Sequence, residues 1–83
     1  MIKISENVRR KVSKYGLREN DAFIIMRYGR KAKGKRGATI FYIPKRKIEN
    51  NKVLEKYRNV YVFAKDNIVI DIFKNANFKI YSK

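Results

Sequence analysis

The stretch from Arg27 to Gly37, RYGRKAKGKRG, holds the densest run of chemically active residues in the chain. Arg27, Arg30, Lys31, Lys33, Lys35 and Arg36 are interleaved there with Gly29, Gly34 and Gly37. Cations at this density replace the counterions condensed on a polynucleotide. The glycines let a backbone follow a phosphate chain. No periodic apolar pattern crosses the stretch, so residues 29–37 read as a flexible cationic loop. A second basic run, Lys45, Arg46 and Lys47, follows Pro44 and joins the first as a candidate nucleic-acid contact. The glycine-rich run lacks a Lys-Ser/Thr ending and leads into a strand, so it does not read as a nucleotide phosphate loop.

Aromatic residues accompany these cations: Tyr28, Phe41, Tyr42, Tyr61, Phe73 and Tyr81. A ring beside a cation can stack on an unpaired base, worth about 1–3 kcal/mol per base. A small sheet also needs rings for its core, and Phe41 and Tyr61 are expected there. Tyr42, which alternates with Phe41, and Phe73 are the candidates for exposure.

The balance of charge gives these residues their setting. Lys and Arg number 22 against 7 Asp and Glu, a net of +15. Self-repulsion of this size opposes a compact state unless a polyanion relieves it. A lysine-rich surface built for thermal stability carries nearly as many glutamates, because ion-pair networks need both signs; here the acids are missing. The partner expected is nucleic acid, ahead of an acidic membrane surface or an acidic protein. Cysteine and histidine are absent, which excludes disulfides and zinc sites of thiolate or imidazole. The scattered acids form no carboxylate cluster for magnesium, so neither metal nor cofactor is expected. The longest apolar run, Ala22 to Met26, is too short to span a bilayer, and no signal peptide opens the chain. A cytoplasmic protein with no membrane partner is expected.

Elements that could carry these residues follow from spacing. Ser5 is placed to cap a helix from about Glu6 to Tyr15, with Val8, Val12 and Tyr15 on one stripe and Gly16 as its left-handed close. A second helix spans Glu19 to Tyr28, with Ala22, Ile25 and Met26 inward, Leu17 buried between the helices and Gly29 as the stop. Ala38 to Ile43 reads as a strand ended by Pro44. Lys45 to Asn59 is polar and reads as a loop, or as a loop with one or two helical turns around Val53 to Tyr57. Val60 to Lys65 and Ile68 to Lys74 are strands joined by a two-residue turn, Asp66-Asn67. That turn pairs Phe63 with Ile70 and Val62 with Asp71. The helices should then cover the face of Tyr61, Phe63, Ile68, Ile70 and Ile72. The face of Val60, Val62, Val69, Asp71 and Phe73 stays partly open. A last strand is expected at Phe78 to Tyr81. The fold class is α+β, one domain over residues 1–83: two N-terminal helices packed on a three- to four-stranded antiparallel sheet.

Several short motifs carry a family likeness. They are Tyr15-Gly16-Leu17 closing the first helix, Tyr28-Gly29-Arg30 closing the second, and Phe41-Tyr42-Ile43 with a basic stretch after it. The hairpin Val60-Tyr61-Val62-Phe63 with Ile68-Val69-Ile70-Asp71-Ile72-Phe73, followed by Asn75, completes the set. On these residues the run from Val8 to Lys83 resembles a prokaryotic family related to the RelE/ParE toxins, of the barnase–EndoU–colicin–RelE ribonuclease fold. The resemblance implies a RelE-like fold, RNA as partner in preference to DNA, metal-independent RNA cleavage, and an acidic antitoxin covering the basic face. The chain also departs from that family. Relatives carry His where Asn7 aligns, a basic residue where Lys11 stands, and Arg where Tyr15 stands. In the last hairpin strand they carry Thr and Tyr in place of Asp71 and Phe73. Lys11 keeps its charge, but the His, the Thr and the strand Tyr are gone.

Cleavage without metal needs a base for the 2′-OH, a cation for the phosphate and a proton for the leaving oxygen. With no histidine, the group to test is Lys11, Arg30, Tyr42 and Asp71, with a lysine whose pKa is lowered by neighbouring cations as the base. Asp71 reads first as a cross-strand ion-pair partner and Lys11 as a solvated helix position, ahead of any catalytic role. Two further readings stand beside an RNA-binding toxin-type ribonuclease. One is a DNA-binding helix-turn-helix with a wing, against which Glu19 and Asp21 count, because they put acid where a recognition helix meets DNA. The other is a ribosome- or RNA-associated structural protein.

Overall fold

Val8 and Val12, four residues apart, lie on the buried stripe of helix α1 (Glu6–Lys14). Leu17 in the linker and Ala22 and Ile25 of helix α2 (Glu19–Tyr28) extend the same core. The computed structural model describes residues 3–76. Ser5 takes the N-cap position of α1 with extended backbone, but its hydroxyl makes no capping bond. Gly16 follows α1 in the left-handed region at φ +73°, where an L side chain is strained. Gly29 is needed for a different reason. A Cβ there would strike the carbonyl oxygens of Tyr42 and Ile25, so α2 ends flush against a strand.

Five strands form one sheet: β1 (Lys3–Ile4), β2 (Arg30–Lys33), β3 (Thr39–Tyr42), β4 (Val60–Lys65) and β5 (Ile68–Lys74), in the order β1-β5-β4-β3-β2. Strands β2 to β5 make an antiparallel meander. β1 lies parallel to β5, with Lys3 opposite Ile68 and Ile4 opposite Val69. The α+β class is as expected, but the sheet has five strands among the described residues and is mixed. The N-terminus supplies the parallel strand, and only the tertiary fold brings it to β5. The expected strand at Phe78 to Tyr81 lies outside the described residues.

The 29–37 segment, expected as a loop, forms β2 and a tight turn containing a single 3-10 turn, Lys35–Gly37. Gly34 N–H donates to the Ala38 carbonyl at 2.9 Å to close it. Ala32 is the one buried residue of β2, so the apolar signal was a single side chain. Ladder bonds to β3 order a stretch whose composition looks unstructured. Lys45–Asn50 forms a third helix, α3, and Lys52–Tyr57 a 3-10 helix. Their anchors are Ile48 and Tyr57, both buried.

Asp66 and Asn67 both take positive φ, +52° and +64°, the signature of the expected two-residue hairpin turn. The register beyond it differs from expectation. Ala64 lies opposite Val69, while Phe63 lies opposite Asp71, with an irregularity between these pairs. Ile70 is therefore an extra residue, a bulge that turns the strand over. The helix-covered face carries Val60, Val62, Ala64, Val69 and Ile72, all buried. Tyr61, Phe63, Asp71 and Phe73 share the opposite face and are half-buried, while Ile68 and Ile70 are exposed. Of the expected covered face only Ile72 is covered, and Val60, Val62 and Val69 have moved inward.

A buried acid ties α2 to the connection between β3 and β4. Asp21 is 6% exposed and Tyr57 is 2% exposed. The Tyr57 hydroxyl donates to Asp21 Oδ1 at 2.6 Å, and the Arg18 amide donates to Asp21 Oδ2 at 2.8 Å. Lys56 Nζ lies 3.1 Å from Oδ1. Burial pushes the Asp21 carboxyl up, but the bonds from Tyr57, Arg18 and Lys56 and the Lys56 charge outweigh it and hold the carboxyl below the ordinary aspartate range. Burial, and then the bond to Asp21, push the Tyr57 phenol well above its ordinary range.

Replacing Tyr57 by Phe removes one donor from a buried carboxylate and should cost about 1–3 kcal/mol in urea denaturation. A carboxyl held low when folded lends stability above its unfolded pKa, and that stability is lost as pH falls through the folded value. Tyr57→Phe raises the folded value, so the acid unfolding midpoint should move to higher pH; an unmoved midpoint would show that Asp21 does not depend on this bond.

Candidate nucleic-acid interface

Among the described residues β2 is the edge of the sheet, and its side chains alternate between the two faces. Arg30 and Ala32 lie opposite Tyr42 and Ile40; Lys31 and Lys33 lie opposite Phe41 and Thr39. The Lys31 ammonium sits 5.9 Å from the centroid of the Phe41 ring. Beyond Lys33 the turn carries Lys35 and Arg36, the latter held at φ +57°. Gly37 packs beside the Lys65 side chain, so a further cation joins the hairpin tip. Lys65 was missed in the sequence reading; its place next to the Asp66-Asn67 turn was the available signal.

The other end of β2 meets a second cluster. Arg30 follows directly on α2 and Gly29, and α3 opens after Pro44 with Lys45, Arg46 and Lys47 and no acid in its first turn. Lys47 Nζ donates to the Tyr28 carbonyl oxygen at 3.0 Å, which pins α3 to the C-terminal end of α2 and meets the negative end of that helix dipole. The Arg27 guanidinium lies 5.6 Å from the centroid of the Tyr28 ring. The nine cations named from the sequence thus form a band with two ends. Lys33, Lys35 and Arg36 stand at the hairpin tip, and Arg27, Arg30, Lys45, Arg46 and Lys47 at the α2–α3 junction. Lys31 lies between, and about 10 Å of strand separates Arg30 from Lys33.

No ion pair reaches the band, and cations outside it such as Arg10, Lys14 and Lys52 are likewise unpaired among the described residues. The ion pairs are Arg9–Glu19 at 2.7 Å, Lys11–Asp71 at 2.7 Å, Lys56–Asp21 at 3.1 Å and Arg58–Glu55 at 2.8 Å. Among the described residues no carboxylate pairs with any of the nine. The paired acids lie on α2, β5 and the 3-10 segment, while Glu6, Glu49 of α3 and Asp66 of the hairpin turn form no ion pair among the described residues.

The four residues considered for cleavage fall into two pairs. Lys11 donates to Asp71 Oδ1, which also accepts from the Ile72 amide at 2.9 Å. Arg30 lies opposite Tyr42. Between the pairs runs a row of rings: Tyr42–Tyr61 at 6.1 Å, Tyr61–Phe73 at 5.6 Å and Phe63–Phe73 at 5.1 Å between centroids. Three strand spacings, about 14 Å of backbone, separate Arg30 from Asp71. The bond to Asp71 also raises the Lys11 pKa above the ordinary lysine range, more than burial lowers it. This is the reverse of the shift a lysine base needs, and it corrects the expectation of a lowered value. Burial, then the charge of Tyr42, raise the Tyr61 phenol.

Of the aromatic set, Phe41 is buried as expected and Tyr42, Tyr61 and Phe73 are half-buried. Tyr28 is the exposed ring, and Tyr81 lies outside the described residues. Among the described residues no group of His, Cys, Asp and Glu could hold a metal ion, and no helix is long and apolar enough to cross a membrane. Comparison with protein-family models, with curated proteins and with solved structures finds no match for this chain.

Asp71→Asn should return the Lys11 ammonium to ordinary lysine titration, followed by NMR of the lysine side chains. It should cost no more than about 1 kcal/mol, because both partners are over a third exposed. The pair's contribution is complete below the unfolded lysine pKa and fades as pH rises through the raised folded value, so the wild-type excess should vanish in strong alkali. A wild-type Lys11 that titrates below the ordinary lysine range would reinstate it as a base.

Proposed function

We propose that this chain is an RNA-binding domain of RelE/ParE type, whose contact surface is the cationic band along β2, its turn and the start of α3. The observation that carries the reading is that nine cations, none with a carboxylate partner among the described residues, are gathered on the end of α2, the edge strand, its turn and the start of α3. Cations left unneutralised on one band are the electrostatic footprint of a polyanion site. Cations on an edge strand also deter strand addition by other chains, but that role needs one or two charges, not a band that continues into a turn and a helix. The RelE/ParE resemblance of the sequence motifs favours RNA over DNA. The same band would receive an acidic antitoxin segment.

The reading is one of binding. Lys11 and Asp71 neutralise each other three strands away from Arg30 and two from Tyr42, so these four residues assemble no common centre for cleavage. The helix-turn-helix reading loses support from the first turn of α2. Asp21 is buried against Tyr57, and Glu19, although paired with Arg9, stays exposed, so that turn presents a carboxylate and no free cation where DNA phosphates would lie.

The test is fluorescence anisotropy of a labelled single-stranded RNA across a salt series. Replacing Lys33, Lys35 and Arg36 with Ala should flatten the plot of log affinity against log salt by about two, at roughly 0.7 per phosphate contact. Reversing all three charges should weaken binding strongly while the circular dichroism spectrum stays unchanged. Unaltered affinity in the triple variants would make the turn a bystander, and a wild-type protein that ignores RNA in dilute buffer would end the proposal.

A further inference from the structure

The α2–α3 junction holds more than charge. Between the C-terminal half of α2 and the connection from α3 to the 3-10 helix lies a groove of about 470 Å³, floored by Ile24 and Leu54 and walled by Tyr28. Lys47, Asn50 and Asn51 form its polar rim. Tyr28 is 57% exposed, although α2 has a buried stripe that could have taken a ring. Its backbone is fixed by Lys47 on its carbonyl and by Gly29 against β3, so the ring stands on a rigid support. Asn51 Oδ1 accepts from the Val53 amide at 3.0 Å. That bond orients the Asn51 side chain and leaves its two N–H donors for another acceptor. An exposed aromatic residue alone would be ordinary. Here a flat apolar wall, two side-chain amides and one cation, Lys47, line a single groove.

We infer that this groove is a nucleobase site. An unpaired base stacks on the Tyr28 ring, its polar edge meets the amides of Asn50 and Asn51, and its phosphate lies against Lys47 and the neighbouring Lys45 and Arg46. A nucleobase fits because it combines a flat apolar face, a hydrogen-bonding edge and an attached anion, the three features the groove presents together. Duplex cannot use the site, since its bases are stacked on one another. The inference rests on the RNA-binding reading and deepens it: the band supplies attraction without regard to strandedness, and the groove supplies a preference for single strands.

The experiment compares wild type, Tyr28→Ala and Tyr28→Trp on a single-stranded RNA dodecamer, on the same strand with abasic sites, and on an RNA duplex. Because the Tyr28 ring is largely exposed, its truncation should leave the urea midpoint nearly unchanged. Tyr28→Ala should weaken binding to the intact strand by about five- to a hundred-fold, the range set by loss of one stacked base. It should leave binding to the abasic strand and the duplex unaltered, and the salt dependence the same. Tyr28→Trp should restore the lost affinity. Equal affinity of Tyr28→Ala and wild type for the intact strand overturns the base site and leaves the cationic band standing. An equal loss on the intact and abasic strands overturns it as well, because the ring would then act without a base. Failure of the wild type to bind any of the three overturns both readings.

Discussion

Like-charge repulsion is the constraint under which this fold is built, and the few carboxylates decide where it is relieved. Three of the four ion pairs join different segments: Arg9–Glu19 joins α1 to α2, Lys11–Asp71 joins α1 to β5, and Asp21 joins α2 to Tyr57 and Lys56. The exposed pairs contribute little in isolation, about 0–1 kcal/mol each. Asp21 is different because it is buried. Its carboxylate would be costly if left unpaired, so its bonds are obligatory and they fix how α2 meets the chain between β3 and β4. The acids hold the helices to one another and to the body of the domain. None of these pairs reaches the edge strand, its turn or α3, where Glu49 is the one carboxylate.

That allocation shapes the surface. Exposed charges more than about 8–10 Å apart are largely screened at physiological salt, so cations at the two ends of β2 tolerate each other in solution. Cations two residues apart, such as Lys31 and Lys33, lie within that distance and do not. A polyanion laid along the strand reverses the sign of every one of these local terms at once. The glycine at position 29 contributes by letting α2 run directly into the edge strand, which brings Arg27, Arg30 and the start of α3 into one region.

Much of this was legible in the residues themselves. Both N-terminal helices, the two hairpin strands and the Asp66-Asn67 turn follow from local pattern, since each is specified within about ten residues. The sheet faces were not legible, because they turn on one bulged residue, Ile70, and period-2 reasoning inverts with each inserted residue. β2 was hidden because an edge strand needs only one buried side chain, here Ala32, and its cations masked the alternation. The Asp21–Tyr57 bond spans thirty-six positions, and no local pattern announces it. The basic site residues were found from composition, whereas their division into two ends, and the entry of Lys65, required the register. The groove beside Tyr28 was out of reach for the same reason: Asn50 and Asn51 read as polar spacers until α3 folds them against α2.

The pairing of Lys11 with Asp71 bears on what kind of protein this is. In a cleaving site the cations must be free to meet a phosphate, and the base must be able to give up its proton near neutral pH. Asp71 withdraws Lys11 on both counts, because it occupies the ammonium and raises its pKa. Arg30 and Tyr42 remain, a cation and a phenol side by side on β2 and β3 with no lowered-pKa group between them. In the proposed reading they would hold a phosphate and a base, the same task proposed for the groove at Tyr28 at the same end of the sheet. On that reading the charge band and the ring divide the work of recognition: long-range attraction would collect the strand, and stacking, which acts only at contact, would select strands whose bases are unpaired.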